Sequence, residues 1–122
     1  MLAVCPCRKF FSPTGPSSPA QNMPPAGVVP GDVLVIDGVA NVSNMGGNSA
    51  QTGKRQGEVG AIVQGGIRDV PHQRTVGYPI WASDITPVTG KWRLETVEIN
   101  GAIQIGEVRV AAGDLVVADD TG

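Results

Sequence analysis

At 122 residues, with 41% hydrophobic, 16% charged and 4% aromatic residues, the chain has room for one domain around one small core. A hydrophobic content at the usual globular level excludes wholesale disorder, and 17 glycines with few aromatics favour short strands and tight turns over a helix bundle. No apolar run approaches the roughly 20 residues of a membrane-spanning helix, and a net charge of −2 supplies no basic field, so neither membrane insertion nor direct nucleic-acid binding is expected.

Seven of the ten prolines fall in residues 1–30, among Ser, Gly, Gln and Asn. Such a stretch cannot run as helix or pair as an inner strand, so residues 1–29 are expected to form a disordered leader ahead of a domain spanning 30–122. No acidic residue precedes Asp32, which leaves the remainder with seven Lys/Arg against eleven Asp/Glu, a balance of −4. Cys5 and Cys7 are too close for an easy disulfide and lack the second Cys/His pair of a zinc site, so they are read as incidental thiols. Met1-Leu2-Ala3-Val4 is interrupted by Pro6 and Arg8-Lys9 and lacks the order of a signal peptide, which makes a cytoplasmic location the expectation.

Asp32-Val33-Leu34-Val35-Ile36 reads as a buried strand stopped by Asp37-Gly38. Gly46-Gly47 then opens a short polar helix that Gly57 could end. Val59 to Val63 is a β-branched run typical of a strand covered on both faces, and Gln64-Gly65-Gly66 reads as the turn that delivers Arg68-Asp69 to its carboxyl end. A further strand is expected at Pro79 to Ser83. Thr96 to Ile99, Asn100-Gly101 and Ala102 to Ile105 carry the pattern of a tight hairpin. Gly31-Asp32-Val33-Leu34-Val35 is echoed by Gly113-Asp114-Leu115-Val116-Val117, which reads as two similar turn-to-strand entries rather than a repeat.

Few residues could carry chemistry. His72 is the only histidine, and its neighbours Pro71 and Gln73 suggest a surface loop and a solvated imidazole rather than a catalytic base. No nucleophile elbow, phosphate-binding loop or dinucleotide fingerprint is present. Trp81, Trp92 and Tyr78 are read as core or interface filler. Arg68-Asp69 remains, with Gly46-Gly47 upstream. A guanidinium can grip a 2-oxo acid bidentately, a carboxylate can anchor a hydrated divalent cation, and amides at a helix start can take a second carboxylate oxygen. From residue types alone, an Arg-Asp pair in a loop is more often a surface ion pair of little energetic consequence.

The runs Gly31 to Gly38, Met45 to Asn48, Gly57 to Val70 and Gly113 to Gly122 together resemble the 4-hydroxy-4-methyl-2-oxoglutarate aldolase family, which also contains the regulator of ribonuclease activity A. Gly65-Gly66-Ile67-Arg68-Asp69 is the most specific part. The resemblance implies an α/β fold, a swivelling β/β/α domain assembled as a homotrimer or hexamer with sites between subunits. It implies a lyase that cleaves 4-hydroxy-2-oxo acids to pyruvate and decarboxylates oxaloacetate with magnesium or manganese. Carried onto this chain, Asp69 matches the metal-binding aspartate and Arg68 the arginine that holds the pyruvyl portion. Gly46, Gly47, Asn48 and Ser49 match the loop whose amides face the substrate. Gly47 and Gln64 stand where the family often has acidic residues, which implies fewer carboxylates around the metal's waters. The resemblance also implies a member shortened at both ends, since relatives continue past Gly122 into a helical tail. The alternatives are a non-catalytic regulator that binds and inhibits a ribonuclease, or an inactive fragment. Members have carried a methyltransferase label as well, for which this chain has no glycine-rich cofactor loop.

Overall fold

The computed structural model describes the backbone of residues 2–4 and 7–11 and all of residues 28–122. In chain order the elements are β1 (Leu2–Val4), β2 (Cys7–Phe11), β3 (Val33–Asp37), β4 (Ser43–Met45), α1 (Gly47–Gln56), β5 (Gly60–Ile67), α2 (Val70–Val76), β6 (Ile80–Ile85), β7 (Glu95–Ile99), β8 (Ile103–Ile105), β9 (Val108–Val110) and β10 (Leu115–Val117). The α/β class expected from sequence is what is found.

The central sheet is built on β5, which pairs in parallel with β3 and β4 along one edge and with β6 along the other. Strand β3 is a run of buried residues because both of its faces are covered. Leu34 and Ile36 pack with Met45, Ala50, Ala61, Val63, Ile67 and Tyr78 on the helical side. Val33 and Val35 point the other way, toward Ile103, Ile105, Val110 and Val116. The period-two alternation of a strand thus divides one apolar run between two cores and produces three layers: helices, sheet, and a second β layer. Ile36, Val33, Val35 and Val63 are the largest fully buried side chains, each stabilising the fold by about 1.5–3 kcal/mol.

The echo between residues 31–35 and 113–117 has a shared geometry. Gly31 and Gly113 lie at φ 101° and 98°. Asp32 Oδ2 accepts the Val29 N–H at 2.9 Å, and Asp114 Oδ2 accepts the Ala111 N–H at 2.8 Å. Both copies are the same side-chain-closed turn feeding a strand, and glycine supplies the left-handed residue that the turn requires.

Three expectations are corrected. The Gln64-Gly65-Gly66 segment is not a turn but lies inside β5, with a register shift against β6 between Val63 and Gly66. Asn100 does adopt a left-handed conformation at φ 60°, yet β7 and β8 do not pair with each other. Strand β7 pairs with β2, and β8 forms its hairpin with β9. Finally, part of the stretch expected as a disordered leader is strand: β1 pairs antiparallel with β10, and β2 lies between β3 and β7. Cys7 begins β2, whereas Cys5 and residues 12–27 of that leader lie outside the described residues. Among the described residues no helix is long and apolar enough to cross a membrane.

Helix α1 runs from Gly47 to Gln56 and ends at Gly57, as its sequence predicts. Gly53 sits inside it because a Cβ there would collide with Glu58 Oε2 and stand 3.0 Å from the Tyr78 hydroxyl. Those two buried groups are fixed by a 2.6 Å hydrogen bond from the Tyr78 hydroxyl to Glu58 Oε2. Gly53→Ala is therefore expected to lose about 1–3 kcal/mol from overpacking, outweighing the ~1 kcal/mol that alanine adds to helix propensity. Urea denaturation checks it, and a stabilised variant would contradict the packing argument.

Candidate functional site

Parallel strands β4 and β5 end side by side at Met45 and Ile67, and the residues after them form the site. The Arg68 N–H donates to the Met45 carbonyl at 3.1 Å, which carries the pairing one step past the strand ends. Chain direction then brings Gly46-Gly47 and Arg68-Asp69 together, at the carboxyl ends of parallel strands where α/β sheets commonly bind ligands.

Asp69 Oδ2 accepts the Gly47 N–H at 2.9 Å and lies 3.6 Å from Arg68 Nε. Helix α1 has no acidic residue in its first turn and carries Lys54 and Arg55 in its last. The Asp69 carboxylate supplies from another segment the negative charge that an α-helix start favours. With side chains 39% and 48% exposed, the Arg68–Asp69 pair contributes at most about 1 kcal/mol to the fold.

Glycine at 46 and 47 is a matter of space. A Cβ on Gly46 would stand 2.9 Å from Asp69 Oδ2 and 3.1 Å from Arg68 Nε. On Gly47 it would meet His72 Cδ2 at 2.7 Å and the Asp69 Cβ at 3.3 Å. The four expected loop residues thus divide. Gly46 and Gly47 pack directly against Arg68 and Asp69, while Asn48 and Ser49 complete the first turn of α1. Their N–H groups, at the second and third helical positions, have no partner within the helix.

The sequence reading gave no site role to two residues that lie near the pair. His72 is exposed, as expected, but it stands on α2 with its ring against Gly47 rather than in a loop. Gln73 is 3% exposed, and its Nε2 donates to the Arg68 carbonyl at 2.6 Å. The signal that could have found them is Pro71, a residue favoured in the first turn of a helix, which puts positions 72 and 73 one turn beyond Asp69. Of the aromatics, Tyr78 is core, whereas Trp92 is 57% exposed with Lys91 Nζ 5.4 Å from its ring centre. Trp81 donates to the Asp119 carbonyl at 2.7 Å. The Asp119 carboxyl is held below the usual carboxylate range, chiefly by the Thr121 hydroxyl and then by the Thr121 N–H.

No group of three or more His, Cys, Asp or Glu side chains converges among the described residues. A tetrahedral zinc site or a calcium cage does not fit. Asp69 does fit a magnesium-type ion that keeps most of its waters: Oδ2 takes both protein contacts, and Oδ1 carries the carboxylate's remaining lone pairs.

Residues 26–122 match the RraA-like model, described as Aldolase/RraA, and the chain belongs to that family. It is 37% identical over 100 residues to a protein of Albidiferax ferrireducens that carries the provisional name 4-hydroxy-4-methyl-2-oxoglutarate aldolase, covering 80% of this chain and 57% of that one. A protein of Halalkalibacterium halodurans with the same provisional name is 33% identical over 95 residues, covering 76% of this chain and 45% of that one. The chain therefore spans about half the length of these curated relatives. Among solved structures, Streptomyces coelicolor RraAS2, described as an unusual member of the RNase ES inhibitor RraA protein family, superposes with TM-score 0.80 at 31% identity. That match covers 100% of this chain and 62% of RraAS2.

Proposed function

We propose that this chain carries the substrate and metal site of a divalent-metal-dependent lyase. It would cleave 4-hydroxy-2-oxo acids of the 4-hydroxy-4-methyl-2-oxoglutarate type to pyruvate and decarboxylate oxaloacetate. The observation that carries this reading is the convergence of Arg68, Asp69 and the closely packed Gly46-Gly47 backbone at one strand end.

Asp69 is the residue that would hold magnesium or manganese, through Oδ1. When bound, the metal supplies Lewis-acid stabilisation of the negative charge that grows on the 2-oxo oxygen as the carbon–carbon bond breaks. Arg68 has its Nε beside Asp69, and its guanidinium is partly open to solvent, so its remaining N–H groups are free to take a substrate carboxylate in a fork. The N–H groups of Asn48 and Ser49 would take the other carboxylate oxygen, while glycine at 46 and 47 lets Arg68, Asp69 and His72 close onto the start of α1. The Gly47 N–H itself is committed to Asp69. Aldol cleavage and loss of carbon dioxide both leave the electrons of the broken bond on the same three-carbon 2-oxo acid fragment, so one arrangement serves both. Exposed Ile85, Val108, Leu115 and Val117 support assembly into a homotrimer or hexamer, as in the family.

The test is pyruvate release from oxaloacetate, followed with a coupled dehydrogenase on the purified chain. Turnover that rises with added magnesium or manganese and vanishes with a chelator is the expected result. No turnover from a folded, oligomeric sample would overturn the lyase reading and favour either an inactive fragment or ribonuclease binding, the role for which the Streptomyces relative's family is named.

A further inference from the structure

Asp69 precedes α2 in an unusual conformation. Its backbone is left-handed at φ 62° and ψ 33°, and its side chain makes no capping hydrogen bond to its own helix. An aspartate at a helix start ordinarily sits in the extended region and caps the helix it precedes. Here the left-handed backbone is paired with a carboxylate bonded to the first N–H of α1 instead. A non-glycine residue in that region is held at a cost and persists only when its surroundings over-determine it.

The peptide unit joining Arg68 to Asp69 sets that conformation, because rotating it changes Asp69 φ. Its carbonyl side, Arg68, directly follows the end of β5, and that carbonyl accepts the Gln73 Nε2 hydrogen at 2.6 Å. Gln73 is 3% exposed and further tied by its own N–H to the Asp69 carbonyl at 3.1 Å, and its carbonyl accepts from Tyr78 N–H at 3.1 Å. A buried amide anchored at both backbone ends and aimed at one carbonyl is a clamp on that peptide plane.

We propose that Gln73 is a positioning residue: by holding the Arg68 carbonyl it keeps Asp69 left-handed and its carboxylate on Gly47, poised toward a hydrated divalent cation. The metal half of this statement rests on the lyase reading above, whereas the positional half does not. Gln73→Met keeps length and burial but removes the donor. Gln73→Glu keeps the shape and sets an acceptor against the Arg68 carbonyl.

The experiment uses the full chain and two readouts, the amide resonance of Gly47 in a metal-free ¹H–¹⁵N spectrum and manganese affinity by electron paramagnetic resonance. In both variants the Gly47 amide proton is expected to move upfield as its bond to Asp69 loosens, with the Val35 and Val63 amides of the core unmoved. Manganese dissociation constants should rise at least about tenfold, the usual effect of removing a group that orients a metal ligand. A Gly47 resonance and a manganese affinity both equal to the parent's would overturn the proposal. Asp69→Asn is the control: if it binds manganese as the parent does, the metal reading fails and the Gly47 resonance alone decides the role of Gln73.

Discussion

Asp69→Asn is expected to lower metal-stimulated pyruvate release by at least about a hundredfold while leaving the melting temperature within a few degrees of the parent. Asparagine is the informative substitution because it tolerates the left-handed backbone that Asp69 adopts, whereas alanine would add strain. Its amide oxygen can still accept the Gly47 N–H, so the local hydrogen bond survives and the charge alone is removed. The ion pair with Arg68 is exposed on both sides, so its loss costs the fold little. A coupled dehydrogenase assay across a manganese titration, beside a thermal melt, separates the two effects. If the variant matched the parent's metal-stimulated rate, Asp69 would not be the metal anchor and the proposed site would be wrong.

The largest stability effect is expected at Asn44, which touches none of the groups proposed to meet substrate. Its Oδ1 accepts the Val39 N–H at 2.8 Å. Its Nδ2 donates to the carbonyls of Val39 at 2.8 Å, Val42 at 2.9 Å and Gly66 at 3.2 Å. Two amide hydrogens shared among three carbonyls make the Gly66 contact the weakest of the set. One side chain thereby closes the connection between β3 and β4 and pins it to β5. Asn44→Ala strands those backbone groups without partners and is expected to cost about 3 kcal/mol, a fall in melting temperature of roughly 15 °C for a domain of this size. The denaturant midpoint should drop with an unchanged slope. A change below about 0.5 kcal/mol would mean that water replaces the side chain at no cost, contradicting the role assigned to it.

The sequence by itself determined the features that depend on neighbours along the chain. The apolar run Val33 to Ile36 announced a buried strand, and Gly46-Gly47 with Gly57 marked the two ends of α1. Gly31-Asp32 and Gly113-Asp114 announced two similar turn-to-strand entries, legible because the contacts that close them span only three residues. Arg68-Asp69 was legible as the pair at a strand end, and with the family resemblance as a candidate site.

Tertiary structure decided the rest, because partner choice carries no local mark. Asn100-Gly101 makes the backbone bend that its sequence predicts, but whether the flanking strands then meet depends on which edges are free. Here β2 takes β7, and β9 takes β8. The Gln64-Gly65-Gly66 segment has the composition of a turn and is strand because β4 and β6 flank it on both edges. Pro71 marks a helix start that places Gln73 one turn beyond Asp69, but its burial was hidden, since a glutamine reads as a surface residue until a carbonyl is found for it to hold. The direction of the Asp69 carboxylate was equally hidden, because the N–H it accepts belongs to Gly47, 22 residues earlier in the chain.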